Sequence, residues 1–209
     1  MGATGAGKTT LLNVLSNFIP REERIITIED AAELRLSSLD NVITLETRDG
    51  GADGRGTITM RDLIKTSLRA RPDRIIVGEV RGAEAGAMLT AMNSGHEGSL
   101  SCAHSNSCHD VLSRLETMVL MGMILPVEAI RRQIASAIDL FVYIQRDGGG
   151  GRKVTEITQI TGMREGEILM EPLFAMKNGV LERTANPVFR RKGSIEVYAD
   201  IEGKQKNEE

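Results

Sequence analysis

Residues 2–9, Gly-Ala-Thr-Gly-Ala-Gly-Lys-Thr, follow the pattern G-x-x-x-x-G-K-T and constrain this chain more than any other stretch. Glycines at these spacings let a backbone turn its N–H groups inward and let an anion come close. Gly2, Ala3, Thr4, Gly5, Ala6, Gly7, Lys8, Thr9 and Thr10 therefore read as a phosphate cradle, with Lys8 directed to terminal phosphates and the Thr9 hydroxyl to Mg²⁺. A helix must begin at once, because its N-terminus adds a field that favours anions. Leu11, Leu12, Val14, Leu15 and Phe18 recur at helical spacing before Pro20 and predict an apolar helix face. Such a loop ordinarily follows a buried strand, yet only Met1 precedes it here, so the central sheet is expected to be one strand short and the loop weakly anchored.

Downstream, "ERIITIED" and "NVITLETR" read as short strands, and "TITMRDLIKTSLRA" as a helix with Met60, Leu63, Ile64 and Leu68 on one face, ending before Pro72. "DRIIVGEVRG" is apolar without alternation, as in a strand covered on both faces of a parallel sheet. Helical patterns follow over 83–95, 108–121 and 126–140. This alternation predicts an α/β fold with a mostly parallel central sheet. From residue 140 the pattern changes to strands around a four-glycine turn, then "EILMEPLFAM" and "GVLERT", which predict a more antiparallel C-terminal region. The expected organisation is a core over residues 1–145, a β-rich extension of the same domain over 146–198 and a disordered tail over 199–209.

Three further stretches carry candidate chemistry. Glu79 ends an apolar strand, where a carboxylate can stand beside phosphates and Mg²⁺. Glu29, Asp30 and Glu33 lie at or just beyond another strand end, and hydrolysis needs one such group to orient or deprotonate water. His96 and His104 sit in the polar run "GHEGSLSCAHSNS", where imidazole can donate to phosphate oxygens.

A net charge of −3 gives no overall attraction to nucleic acid. The apolar run "MVLMGMILPV" is too short for a bilayer span and no charged-then-apolar leader opens the chain, so a cytoplasmic location is expected. Cys102 and Cys108, near His104 and His109, match no zinc spacing and read as reduced thiols.

In this order, "GATGAGKTT", "TIEDAAELRL", "RIIVGEVRG" and "GHEGSLSCAHSNS" resemble the Walker A loop, Asp box, Walker B segment and His box of the type II/type IV secretion ATPases. Within that superfamily they resemble the CpaF-type ATPases of tight-adherence pilus assembly. "LETR", "LRARPDRIIVGEVRG" and "SRLETMVLMG" extend the likeness, which is close over about residues 1–145 and looser beyond. The resemblance implies a RecA-like P-loop ATPase that uses ATP and Mg²⁺, works as a hexameric ring, and powers pilus assembly or secretion. Its partner would be an inner-membrane platform protein, placing it at the cytoplasmic face and touching the membrane only through partners. Carried over by position, Lys8 and Thr9 bind phosphate and Mg²⁺, Glu29 is the candidate general base and Glu79 acts at the metal. His104 senses the γ-phosphate, His96 supports it, and Arg48 and Arg81 are candidate charge stabilisers.

Two departures qualify the likeness. Members of that family carry an N-terminal domain before the ATPase domain, which closes over the nucleotide. Its absence marks the chain as an expected C-terminal fragment, and makes a nucleotide-binding module without efficient turnover the rival reading. In the His box, Cys102 stands where a threonine is usual. No N-K-x-D tetrapeptide supports a guanine-specific switch, and no arginine-rich lid supports a small-molecule kinase.

Overall fold

The uninterrupted apolar runs form strands covered on both faces, as their lack of alternation requires. The computed structural model describes residues 1–51 and 55–188. In it β1 (Arg24–Glu29), β2 (Asn41–Glu46), β3 (Arg74–Val80) and β4 (Leu100–Ala103) make a wholly parallel sheet in the order β2-β1-β3-β4. Five helices complete this region: α1 (Lys8–Ser16), α2 (Met60–Ser67), α3 (Glu84–Met92), α4 (Asp110–Gly122) and α5 (Val127–Ala137). Successive strand residues point to opposite faces. Ile26, Ile28, Ile75 and Val77 pack into the core formed with α2 to α5, whereas Ile25, Ile76 and Cys102 meet Leu12 and Ile19 on the α1 side. The start of α2 is fixed by a reciprocal cap in which the Thr59 hydroxyl accepts from the Asp62 N–H and the Asp62 carboxylate accepts from the Thr59 N–H.

The C-terminal region is antiparallel, as its pattern predicts. β5 (Leu140–Arg146), β6 (Arg152–Arg164), β7 (Glu167–Lys177) and β8 (Val180–Arg183) pair in sequence order. Two of the connections are two-residue turns, Glu165-Gly166 and Asn178-Gly179, with positive φ at both positions, the geometry that matches the twist of a tight hairpin. The expected disordered tail, 199–209, lies outside the described residues.

Met1 and Gly2 run between the two sheets. Ile144 N–H donates to the Met1 carbonyl at 2.9 Å, and Gly2 N–H donates to the Ala103 carbonyl at 3.4 Å. The Met1 ammonium donates to the Val142 carbonyl at 2.6 Å, and burial lowers its pKa. Upstream of Met1, between β4 and β5, lies a cleft of about 460 Å³.

The α1 face departs from the sequence expectation. The helix forms, but of the five apolar positions only Leu12 is buried; Leu11 and Leu15 look onto the cleft, while Val14 and Phe18 are 50% and 82% exposed. The period is right, and much of the stripe has an open cleft beneath it instead of packed sheet. A second exposed apolar group, Leu120, Met121, Ile124 and Val127, marks the turn from α4 to α5. Among the described residues no helix is long and apolar enough to cross a membrane.

Candidate functional site

The phosphate loop is shaped by its glycines. Gly7, immediately before α1, has φ 96°, which a residue with a side chain rarely adopts, and a Cβ there would stand 2.8 Å from the Arg152 side chain. Ala3, Thr4 and Gly5 are exposed, so the outer side of the loop is open. The Lys8 ammonium bridges back over the loop, donating to the carbonyls of Gly2 and Ala3 and to His104 Nδ1, each at 3.3 Å.

Three strands of the parallel sheet bring the remaining groups to its C-terminal edge: β1 ends in Glu29, β3 carries Glu79, and His104 follows β4 directly. His104 Nε2 lies 2.6 Å from Glu79 Oε1. That oxygen is nevertheless buried without a hydrogen bond aligned on it. Glu79 Oε2 accepts from Arg81 at 3.0 Å. A poorly satisfied carboxylate oxygen next to a phosphate loop suits a hard cation, so the donor set of Glu79 and the Thr9 hydroxyl fits Mg²⁺.

Glu29 is 4% exposed and accepts backbone N–H groups from Glu33 and Leu34, at 3.1 Å each, on Oε1. Burial raises its pKa; the backbone hydrogen bonds oppose the rise, and the nearby charges of Glu33 and Glu46 add to it. Gly78 explains how this side chain fits, since a Cβ at 78 would lie 2.9 Å from Glu29 Cγ. The glycine before Glu79 is thus the gap across which Glu29 lies. Glu33 reaches the loop itself, its Oε2 accepting from the Thr9 hydroxyl at 3.3 Å. Asp30 accepts from Thr47 at 3.1 Å.

The expected support residues divide. Arg81 joins the cluster through Glu79. Arg48 pairs with Ile58 through its backbone, and its guanidinium donates to the Gly56 carbonyl at 2.9 Å. His96 sets Nδ1 against the Ala91 carbonyl at 3.1 Å, at the end of α3, and lines the cleft. Beyond His104, Ser107 Oγ accepts from the Asp110 N–H at 2.9 Å, and Asp110 accepts from Asn106 N–H at 3.1 Å, so the His box is tied into the start of α4. The thiols lie in the interior, and burial pushes Cys102 to about 11 and Cys108 to about 12.

Two arginines enter the site without having been singled out from the sequence. Arg152 donates to the Gly5 carbonyl at 3.2 Å, and Arg146 comes within 3.8 Å of where a Gly5 Cβ would stand. They are directly opposite one another across the β5–β6 hairpin. Like charges in that relation repel unless an anion relieves them. The legible signal was their symmetric placement around "DGGGG".

The profile of the type II/IV secretion system protein family matches residues 1–146. A putative conjugal transfer protein of Mycobacterium tuberculosis, MT3759, is 38% identical over 184 residues, covering 88% of this chain and 51% of that protein. The type IV secretion system protein PtlH of Bordetella pertussis is 38% identical over 167 residues, 78% of this chain and 49% of PtlH. Among solved structures, the VirB11 ATPase of the Brucella suis type IV secretion system, in complex with sulphate, superposes with a TM-score of 0.68 at 37% identity, covering 75% of this chain and 46% of that one. The chain spans about half the length of the curated relatives it matches.

Proposed function

Because this chain belongs to the type II/IV secretion system protein family, we propose that it is an ATP-binding, ATP-hydrolysing motor domain that drives secretion or pilus assembly. The observation that carries this reading is the meeting of Lys8, His104 and Glu79 at the mouth of the phosphate loop. Each residue has a distinct task. The loop N–H groups and Lys8 hold the phosphates, with Arg146 and Arg152 adding positive charge from the hairpin. Thr9 and Glu79 hold Mg²⁺, which when bound neutralises charge developing on the transferred phosphoryl group. Glu29 takes the proton of the attacking water, a role helped by its raised pKa. Arg81 stabilises charge, and His104, joined to both Lys8 and Glu79, registers the γ-phosphate; Arg48 and His96 support from further away.

The finer reading, a CpaF-type motor of tight-adherence pili, rests on the four boxes and on Gly-Glu in place of Asp-Glu at residues 78–79. In that reading the domain works in a hexameric ring against an inner-membrane platform at the cytoplasmic face. A second reading, a nucleotide-binding module without efficient turnover, is favoured by the open outer side of the loop, where Ala3, Thr4 and Gly5 are exposed.

Mg-dependent ATP binding and hydrolysis, measured side by side with Lys8→Ala, test both readings. Turnover that Lys8→Ala abolishes supports the motor; binding without turnover supports the module; neither activity in a chain folded by circular dichroism overturns both.

A further inference from the structure

Arg146 and Arg152 stand at the ends of β5 and β6, on either side of a turn with little intrinsic order. Residues 147–151 read Asp-Gly-Gly-Gly-Gly, and glycine loses more conformational freedom on folding than any other residue. A Cβ at 148 would meet nothing within 4 Å, so packing does not demand glycine there. Two directly opposed guanidinium groups also push the strand ends apart. The turn nevertheless closes, and one residue accounts for it. Asp147 Oδ1 accepts the Gly149 N–H at 3.1 Å and the Gly151 N–H at 2.6 Å. Its backbone adds two bonds: the Asp147 N–H donates to the Gly151 carbonyl at 2.9 Å, and the Gly150 N–H donates to the Asp147 carbonyl at 3.1 Å. A Cβ at 151 would stand 2.6 Å from Asp147 Oδ2, so the glycine at 151 makes room for the carboxylate.

The same carboxylate sorts the cations around it. Successive strand residues point to opposite faces, so Lys153 leaves β6 on the face away from Arg152. Asp147 Oδ2 holds its ammonium there at 3.3 Å. Arg152 leans on the phosphate loop instead: its Nε donates to the Gly5 carbonyl at 3.2 Å, and its Cδ lies 2.8 Å from where a Gly7 Cβ would stand. The Lys153 and Asp147 side chains are 57% and 35% exposed, and an ion pair so open to water contributes little by itself. The amide acceptance is the larger effect, because it restrains two of the four glycines directly.

We propose that Asp147 is a positioning residue for the Arg146–Arg152 pair: by closing the glycine turn it sets both guanidinium groups against the loop at Gly5. It touches no phosphate itself. This deepens the reading of the loop as a phosphate cradle and rests on it.

Five versions of the full chain test it: the unsubstituted chain, Asp147→Ala, Asp147→Asn, the pair Arg146→Ala and Arg152→Ala, and that pair combined with Asp147→Ala. Alanine removes the acceptor, whereas asparagine keeps a carbonyl oxygen and removes the charge. Equilibrium dialysis with Mg·ATP is expected to show binding weakened roughly fivefold in Asp147→Ala and restored to within about twofold by Asp147→Asn. Where both arginines are already gone, Asp147→Ala is expected to change binding by no more than about twofold. Unchanged binding in Asp147→Ala overturns the proposal, as does equal weakening with and without the arginines. Binding strengthened alike by alanine and asparagine would make Asp147 a repelling charge, and overturns it too. The Arg152 Nε–H signal in two-dimensional NMR needs no nucleotide. It is expected to shift in Asp147→Ala and to hold its place in Asp147→Asn; a signal unmoved by alanine overturns the positioning role. That shift in a chain that binds no ATP would instead overturn the phosphate reading and leave the role of Asp147 in the turn standing.

Discussion

The two sheets differ in how they use burial. In the parallel sheet, β1 buries five of its six residues, and its last buried residue is a carboxylate. In the antiparallel sheet, β7 buries two of eleven, Ile168 and Leu173. The parallel half can therefore hold charges out of water, where each partner matters, while the antiparallel half brings Arg146 and Arg152 to the same loop through a more exposed hairpin. Acid and imidazole chemistry belongs to the first region and supplementary positive charge to the second.

If that division is right, substitutions should rank accordingly. Glu79→Gln should lower ATP hydrolysis by about 100-fold or more while leaving nucleotide binding in place, as shown by equilibrium dialysis beside a turnover assay. Loss of binding instead would make Glu79 part of the cradle. Gly78→Val should cost about 1–3 kcal/mol in urea denaturation, because its side chain would enter the space Glu29 occupies; an unchanged midpoint would show that Glu29 moves aside freely. Arg152→Ala should weaken ATP binding by roughly tenfold, about 1.4 kcal/mol, with little loss of stability. An effect as large as that of Glu79→Gln would erase the contrast between the halves.

The smallest effect concerns Glu29 and pH. Burial holds its carboxyl above the ordinary value of 4.5. The folded chain therefore takes up a proton that the unfolded chain has released. The stabilisation is complete below 4.5 and is lost as pH rises through the folded value. Glu29→Gln should flatten this fall in a series of thermal midpoints, and an equally steep fall in the variant would assign the slope to other groups. Glu33→Gln, which alters the partner of Thr9 and removes one of the charges that raise Glu29, should lessen the slope without flattening it; its turnover set beside that of Glu29→Gln separates the two carboxylates.

Much of this was legible because it is written locally. The spacing of Gly2, Gly7 and Lys8 defines the loop, and the runs ending at Glu29 and Glu79 have the composition of strands covered on both faces. What lay beyond local pattern was set by chain segments far apart. Arg152 meets Gly5 across 147 positions of sequence, and its placement beside the glycine turn announces a hairpin pair with Arg146 but not the loop that the pair reaches. Periodicity correctly gave α1 its helix, but a helical period says which residues share a face and not whether a partner covers it. Val14 and Phe18 were misread for that reason. His96 was read from the polar run around it and Arg48 from the resemblance, and neither signal gives the partners the fold supplies, the backbone carbonyls of Ala91 and Gly56.

The tie between the His box and α4 makes the helix a lever. Its short arm is at His104, braced through Ser107 and Asp110. Its long arm is a 13-residue helix, about 20 Å from end to end. A tilt of about 5° at the imidazole end would carry the far end through about 2 Å, since displacement grows with the helical rise. That far end bears Leu120 and Met121, with Ile124 just beyond, all open to solvent. A displacement too small to see at the γ-phosphate position would thus be delivered, magnified, to an oily knob on the outside of the molecule.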